Sequence, residues 1–410
     1  METTQKQEEN GLPKSFSSYP PIANPSIPRL IDLSLKTIIE NFDKCSELHL
    51  IPKKYQARVL REISTNLPLN TSVMTIPDGI YWKRLTQEKF PHIPIDPARK
   101  KWKRFYLENY AKLKLESATD KNIDSIFNEL KVISPYIRSL RLERSPCKVS
   151  IFKLFNVFRG LKSLKLTYGE PRRNFAQYEE FDQFDVKAEH STTLQDCQIL
   201  CTDFQSLGDI CTLERLDMSD NSLNDQSILR IAKGLYNNIN TLTTLIFSHN
   251  EIGDKGAHAI ASVMLTSPIY KFNLSDNLIT PKGIEKICDC AKRCTTLQKL
   301  NLSSNQIGDM GIGFISDLIE NTSSIAKIDI SGNRISNFES FTNALNKNKS
   351  LKVVIIAANP INDNDYDKIK EIAEQSQTLE RLDMRRYELP KESFEIKTSE
   401  TSESPLLRFK

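Results

Sequence analysis

The run FNLSDNLITPKGIEKI, residues 272–287, begins as a short strand-like stretch, ends at Asn277 and turns helical just past Pro281 and Gly283. Leu274, Asn277 and Ile279 stand on a fixed spacing, and the same order of events recurs when the chain is aligned on the asparagine. LERLDMSDN ends at Asn221, LTTLIFSHN at Asn250, IYKFNLSDN at Asn277, LQKLNLSSN at Asn305, IAKIDISGN at Asn333 and LKVVIIAAN at Asn359. Successive asparagines are 29, 27, 28, 28 and 26 residues apart. Two residues beyond each stands Leu223, Ile252, Ile279, Ile307, Ile335 or Ile361. A regular period of this length means a stacked array of like units.

Each position has a physical reason. Alternate apolar side chains of the strand point inward, and neighbouring copies complete a parallel ladder. An asparagine just after the strand can bond backbone groups of adjoining turns where the chain bends inside. The segments that follow, DKGAHAIASVML, PKGIEKICDCAKRC and DMGIGFISDLIE, repeat apolar residues at helical spacing. Pro281 falls near a helix start, where its missing N–H costs little. The pattern is that of a leucine-rich-repeat solenoid, an α/β architecture. A period near 28 with a full helix resembles the ribonuclease-inhibitor type.

Weaker copies flank the six. LERLDMRRY, from Leu379, keeps the strand but has Tyr387 in the asparagine position, which suits a terminal cap. Upstream, IRSLRL from Ile137, LKSLKL from Leu161 and FDQFDV from Phe181 carry the strand spacing without the asparagine, and TTLQDCQILCTDFQSL supplies a helix. The expectation is about ten strands. Residues 1–25 hold four prolines and few apolar anchors and read as a flexible lead. IPRLIDLSLKTIIENF, PKKYQARVLREI, IPDGIYWKRLTQEKF and KKWKRFYLENYAKLKL read as helices of a small N-terminal domain, residues 26–116, packed against the first repeats. The solenoid then covers 117–390, and the Ser/Thr-rich residues 391–410 form a flexible C-terminal tail.

Composition excludes some classes. In 410 residues, 56 basic and 52 acidic side chains nearly balance, which argues against a dedicated nucleic-acid binder. The polar start METTQKQEEN has no signal-peptide core, and no stretch approaches a membrane span. Eight cysteines without such a signal read as reduced thiols in the cytoplasm.

Candidate chemistry is sparse. Cys288, Cys290 and Cys294 tempt as a metal cluster, but Cys290 holds the core position that Val263 and Leu318 hold in neighbouring repeats. Cys288 lies about 200° around the helix from it, so the three thiols do not converge. They read as small core hydrophobes, as do Cys197, Cys201 and Cys211. The five histidines, His49, His92, His190, His249 and His258, are scattered, and GxxxxGK[ST], HExxH and GxSxG motifs are absent. No catalytic, metal or cofactor residue is assigned, and the chain reads as a non-enzyme.

Three surfaces are candidates for partners. RKKWKRF sets Arg99, Lys100, Lys101, Lys103 and Arg104 around Trp102. It is either a solvated helix face anchored by one aromatic or a contact for an acidic surface such as tubulin. YEEFDQFDVKAE places Glu179, Glu180, Asp182, Asp185 and Glu189 in an irregular repeat, as an acidic docking site or a soluble insertion. The third strand position gives Arg215, Thr244, Lys271, Lys299, Lys327, Val353 and Arg381, and the fifth gives Asp217, Ile246, Asn273, Asn301, Asp329, Ile355 and Asp383. These form two columns on the concave face. Either their charges satisfy one another, or they line a polar groove for a protein partner, with Ile246 and Ile355 as apolar contacts.

IPRLIDLSLKTIIENF, IPDGIYWKRLTQEKF and WKRFYLENY ahead of such repeats resemble the family of leucine-rich-repeat subunit 5 of the nexin–dynein regulatory complex, the T-complex-associated testis-expressed family. The resemblance spans roughly residues 26–385. It implies a non-enzymatic scaffold in the axoneme of motile cilia and flagella. Its partners would be other subunits of that complex, coiled-coil scaffolds and another leucine-rich-repeat subunit among them, with the doublet microtubule or dynein touched indirectly. No nucleic acid, membrane or cofactor is implied. A Ran-type GTPase-activating protein and an F-box-like ubiquitin-ligase adaptor are the alternatives. The first typically has a strongly acidic tail, where this chain ends SETSESPLLRFK. The second draws on a faint likeness in IPKKYQARVLREI.

Overall fold

The computed structural model describes residues 29–44, 47–93, 98, 100–143, 149–168, 192–236 and 238–386. The lead 1–25, the acidic run YEEFDQFDVKAE, Arg99, Tyr387 and the tail 391–410 lie outside them. Contacts divide the chain into two compact units, Met1–Pro94 and Ile95–Lys410.

The first unit holds helices Leu30–Glu40, Lys53–Glu62, Leu69–Thr75 and Ile80–Lys89. Its core is Trp82 and Tyr81 edge to face, with Phe42, Val59, Ile63 and Ile76, each buried to 1% exposure or less. Both polar tips find partners, since Trp82 Nε1 donates to Ile76 O at 3.3 Å and the Tyr81 hydroxyl meets Ser72 Oγ at 3.2 Å. Gly79, at φ 134°, makes the bend into the last helix in a region closed to other residues. Helix Leu69–Thr75 is missing from the sequence reading because seven residues with two threonines and a valine give no helical period.

The second unit opens with helices Trp102–Glu116 and Ile123–Leu130 and then enters the solenoid. Nine strands form one parallel sheet in chain order: β1 Ser139–Leu142, β2 Ser163–Leu166, β3 Arg215–Asp217, β4 Thr244–Ile246, β5 Lys271–Asn273, β6 Lys299–Asn301, β7 Lys327–Asp329, β8 Val353–Ile355 and β9 Arg381–Asp383. Nine strands are seen among the described residues, where about ten were expected; β2 pairs directly with β3, Ser163 against Arg215, and FDQFDV lies outside the described residues. Helix Trp102–Glu116, grouped with the N-terminal helices in the sequence reading, lies in this unit. It covers the outer edge of β1: Glu108 Oε1 accepts from Arg138 N and Ser139 N, and Glu116 Oε1 from Glu143 N. An open sheet edge is thereby closed by side chains.

Within a repeat the inward residues vanish from solvent. Leu213, Leu216, Met218, Leu223 and Ile228 are all at 0% exposure. Each such side chain contributes about 1.5–3 kcal/mol when fully buried. Between repeats the ladder asparagines do the polar work. Asn305 Nδ2 donates to Leu274 O of the preceding repeat at 2.9 Å and to Leu302 O and Ser303 O of its own, while its Oδ1 accepts from Ile279 N. Asn221, Asn250, Asn277, Asn333 and Asn359 repeat the pattern, and all six are 8% exposed or less. The residue before each sits in the left-handed region, from Asp220 at φ 63° to Ala358 at φ 54°. That kink turns the asparagine inward.

Candidate interaction surface

The two outward columns lie on either side of one buried residue per strand. In the third position, Arg215, Thr244, Lys271, Lys299, Lys327, Val353 and Arg381 pair in direct register from β3 to β9. In the fifth position, Asp217, Ile246, Asn273, Asn301, Asp329, Ile355 and Asp383 do the same. Register fixed by β1 and β2 lengthens the second column by Arg141 and Lys165, opposite Asp217. The sequence reading missed both, although RSLRL and KSLKL hold them at the same offset from the strand leucines.

The columns differ in how their polar atoms are used. The fifth-position groups bond the chain two residues on. Asn273 Oδ1 accepts from Ser275 N at 2.9 Å, Asn301 Oδ1 from Ser303 N at 2.9 Å, and Asp329 Oδ1 from Ser331 N and Oγ at 3.2 and 2.7 Å. Asp217 pairs with Arg215 at 3.0 Å and with Ser219, and Asp383 takes two bonds from the Arg385 guanidinium and one from its backbone N–H. Asp217 and Asp383 are buried. Ile246, at 5% exposure, presents little apolar surface, whereas Ile355 is half-buried.

The third-position lysines differ. Among the described residues, no carboxylate lies within 4.0 Å of Lys271, Lys299 or Lys327. Lys299 Nζ stands 5.1 Å above the Tyr270 ring. Desolvation, followed by the charges of Arg215, Lys299 and Lys327, holds the Lys271 ammonium below the usual lysine range, with Asp217 opposing. Mutual satisfaction therefore holds at the Arg215 and Arg381 ends of the column and not at its centre.

The RKKWKRF run divides. Lys100 and Lys101 are exposed, Trp102 is buried against Phe105, and Lys103 is buried with its ammonium 4.5 Å above the Tyr136 ring. Arg104 pairs with Glu108 at 2.8 Å, the carboxylate that caps β1. Half of the run thus builds the edge cap.

A third set of residues escaped the sequence reading. Asp225 Oδ1 accepts from Gly253 N and Gly256 N; Asp254 receives the N–H and hydroxyl of Thr280, and Asp309 those of Ser336. An aspartate in the first turn of one helix holds the start of the next repeat's helix or the loop leading to it. The signal lies in the sequence, because each stands four residues beyond a ladder asparagine. The thiols of Cys197, Cys201, Cys211, Cys288, Cys290 and Cys294 are all buried, and burial raises that of Cys288 well above the usual range. Among the described residues no group of three His, Cys, Asp or Glu could hold a metal ion, and no helix is long and apolar enough to cross a membrane.

A parallel strand ladder, an asparagine spine and one helix per turn define a leucine-rich-repeat protein. A family model described as "Leucine Rich repeat" matches residues 210–232, 238–261 and 293–316. A mouse protein named "Dynein regulatory complex subunit 5" is 25% identical over 269 residues, covering 57% of this chain and 51% of that protein. One of the same name from Chlamydomonas reinhardtii is 25% identical over 206 residues, covering 48% and 49%. This chain is similar to those proteins, which carry the name of the family that the sequence resembles. It spans about half the length of the curated relatives it matches. Among solved structures, an internalin from Listeria monocytogenes aligns with a TM-score of 0.36 at 14% identity, covering 69% of this chain and 90% of that one.

Proposed function

We propose that this chain is a non-enzymatic scaffold subunit of the axonemal nexin–dynein regulatory complex, binding other subunits and helping to regulate dynein in motile cilia. The observation that carries the reading is the relatedness to proteins named for that complex in two distant organisms, mouse and a green alga. The repeat array supports it, since repeats that touch only their neighbours make a long surface on which a partner is held without a catalytic pocket. Partners are other subunits of the complex, with the repeats and the helix Trp102–Glu116 that closes their first edge as the binding body. The test is a tagged copy in a ciliated cell, with mass spectrometry of axonemes before and after salt extraction. Retention in the salt-washed axoneme beside other subunits is expected. A protein absent from cilia refutes the reading.

A further inference from the structure

We propose that the centre of the concave face binds a helical, acidic polypeptide segment, with Lys271, Lys299 and Lys327 as the groups that receive its carboxylates. The proposal deepens the scaffold reading by naming the chemistry of one partner segment, and it rests on that reading only for biological context.

The three lysines are direct neighbours across β5, β6 and β7. Adjacent strands lie about 4.8 Å apart, so the column repeats at that pitch. Like charges set directly opposite one another destabilise a sheet, and three in succession do so twice. Among the described residues, no carboxylate lies within 4.0 Å of the three ammonium groups. The next column holds two neutral amides, Asn273 and Asn301, and one carboxylate, Asp329, which is turned to its own Ser331. Elsewhere the protein pairs comparable charges across repeats, as Lys162 with Glu214 and Lys352 with Glu380. An uncompensated basic strip on a concave surface is completed by a polyanion from outside.

Geometry selects the form of that anion. Acidic residues at i, i+3 and i+7 of an α-helix rise by about 4.5 and 6 Å, close to the lysine pitch and within the sweep of their flexible stems. Same-side residues of an extended chain come every 6.6–6.8 Å or so and drift out of step. A peptide is favoured over nucleic acid because Asp329 and the two amides border the strip. A continuous phosphate backbone would set a negative charge against that carboxylate at every step, whereas a helix with its acidic residues along one stripe can set a neutral or basic side chain there. The near-neutral chain has the same preference, at a net charge of +4.

The test uses the full chain and fluorescence anisotropy. The probes are a lactam-locked helical peptide with glutamates at i, i+3 and i+7, a scrambled peptide of equal charge, and a single-stranded DNA of 20 or so nucleotides. The locked peptide is expected to bind most tightly. Lys271→Gln/Lys299→Gln/Lys327→Gln is expected to weaken it about tenfold, the sum of three modest ion pairs. Lys255→Gln/Lys282→Gln/Lys349→Gln, an equal charge change away from the strip, is expected to leave it unchanged. Equal loss in both variants, or no loss in the first, overturns the site. Equal binding of the scrambled peptide overturns the helical form, and tighter binding of DNA overturns the peptide. If the triple variant fails to fold, the ranking of the three probes on the unaltered chain decides. Axonemal retention is scored separately, so loss of retention with peptide binding intact counts against the scaffold and spares the groove.

Discussion

Asn250→Ala should cost about 2 kcal/mol more stability than Asn277→Ala. Both asparagines are buried, and the Nδ2 of each donates to three carbonyls, one in the preceding repeat and two in its own. Those donors cancel in the comparison. The acceptor side does not cancel. Asn250 Oδ1 receives two backbone donors, Asn221 N at 3.1 Å and Leu223 N at 3.0 Å, while Asn277 Oδ1 receives only Ile252 N at 3.1 Å. A buried N–H left without a partner costs about 1–3 kcal/mol. The loss at Asn250 should therefore exceed the loss at Asn277 by about 2 kcal/mol, the range midpoint for one further orphaned group. Urea unfolding followed by circular dichroism reads the difference. With a slope of about 3 kcal/mol/M, the midpoint for Asn250→Ala should lie about 0.7 M below that for Asn277→Ala. Asn359, whose Oδ1 also takes two donors, Asn333 N and Ile335 N, should group with Asn250. Equal losses, or the reverse order, would refute the premise that orphaned N–H groups set the cost of breaking the spine.

Further outcomes follow from single positions. A Cβ at Gly283 would stand 2.4 Å from Asp254 Oδ1 and 3.1 Å from Asp254 Cα, so Gly283→Ala should lower stability by about 1–3 kcal/mol in a thermal melt. Gly313, in an open part of its helix with nothing within 4 Å, should gain about 0.5–1 kcal/mol as alanine. The six described cysteines, all buried, should react with iodoacetamide at neutral pH at least about tenfold more slowly in the folded chain than in urea; rapid native labelling of Cys288 or Cys290 would contradict their core placement. Asp309 has its carboxyl held below the usual range, first by the Ser336 hydroxyl and then, against desolvation, by the N–H groups of Asn337 and Ser336. A depressed folded-state pKa gives stability that is present above the unfolded value of 3.8 and is lost as pH falls through the folded one. Asp309→Asn should therefore flatten the stability curve below about pH 4 and leave its slope at pH 6–8 unchanged.

The solenoid itself was legible because its determinants are local and repeated. Each strand needs its alternating leucines, each bend its asparagine and each helix its apolar face, and all three recur within about 28 residues. Inward and outward residues follow from that period alone, so the two concave columns could be listed by number before any coordinates. The sheet's beginning was not legible in the same way. β1 and β2 carry no asparagine, and only the pairing of β1 with β2 and of β2 with β3 shows that Arg141 and Lys165 extend the second column.

Tertiary structure alone decided which of the outward charges are available. Trp102, Lys103 and Arg104 look like neighbours of Lys100 on a basic surface, yet the helix they begin closes the edge of β1, and closing it buries the first two and pairs the third. Lys271, Lys299 and Lys327 look no different in sequence from Arg215, which has a carboxylate two residues away that reaches back to it. Whether an outward charge is neutralised depends on side-chain direction and on strands about 28 residues distant. The period of a sequence fixes which face a residue takes; only the folded ladder fixes what it meets there.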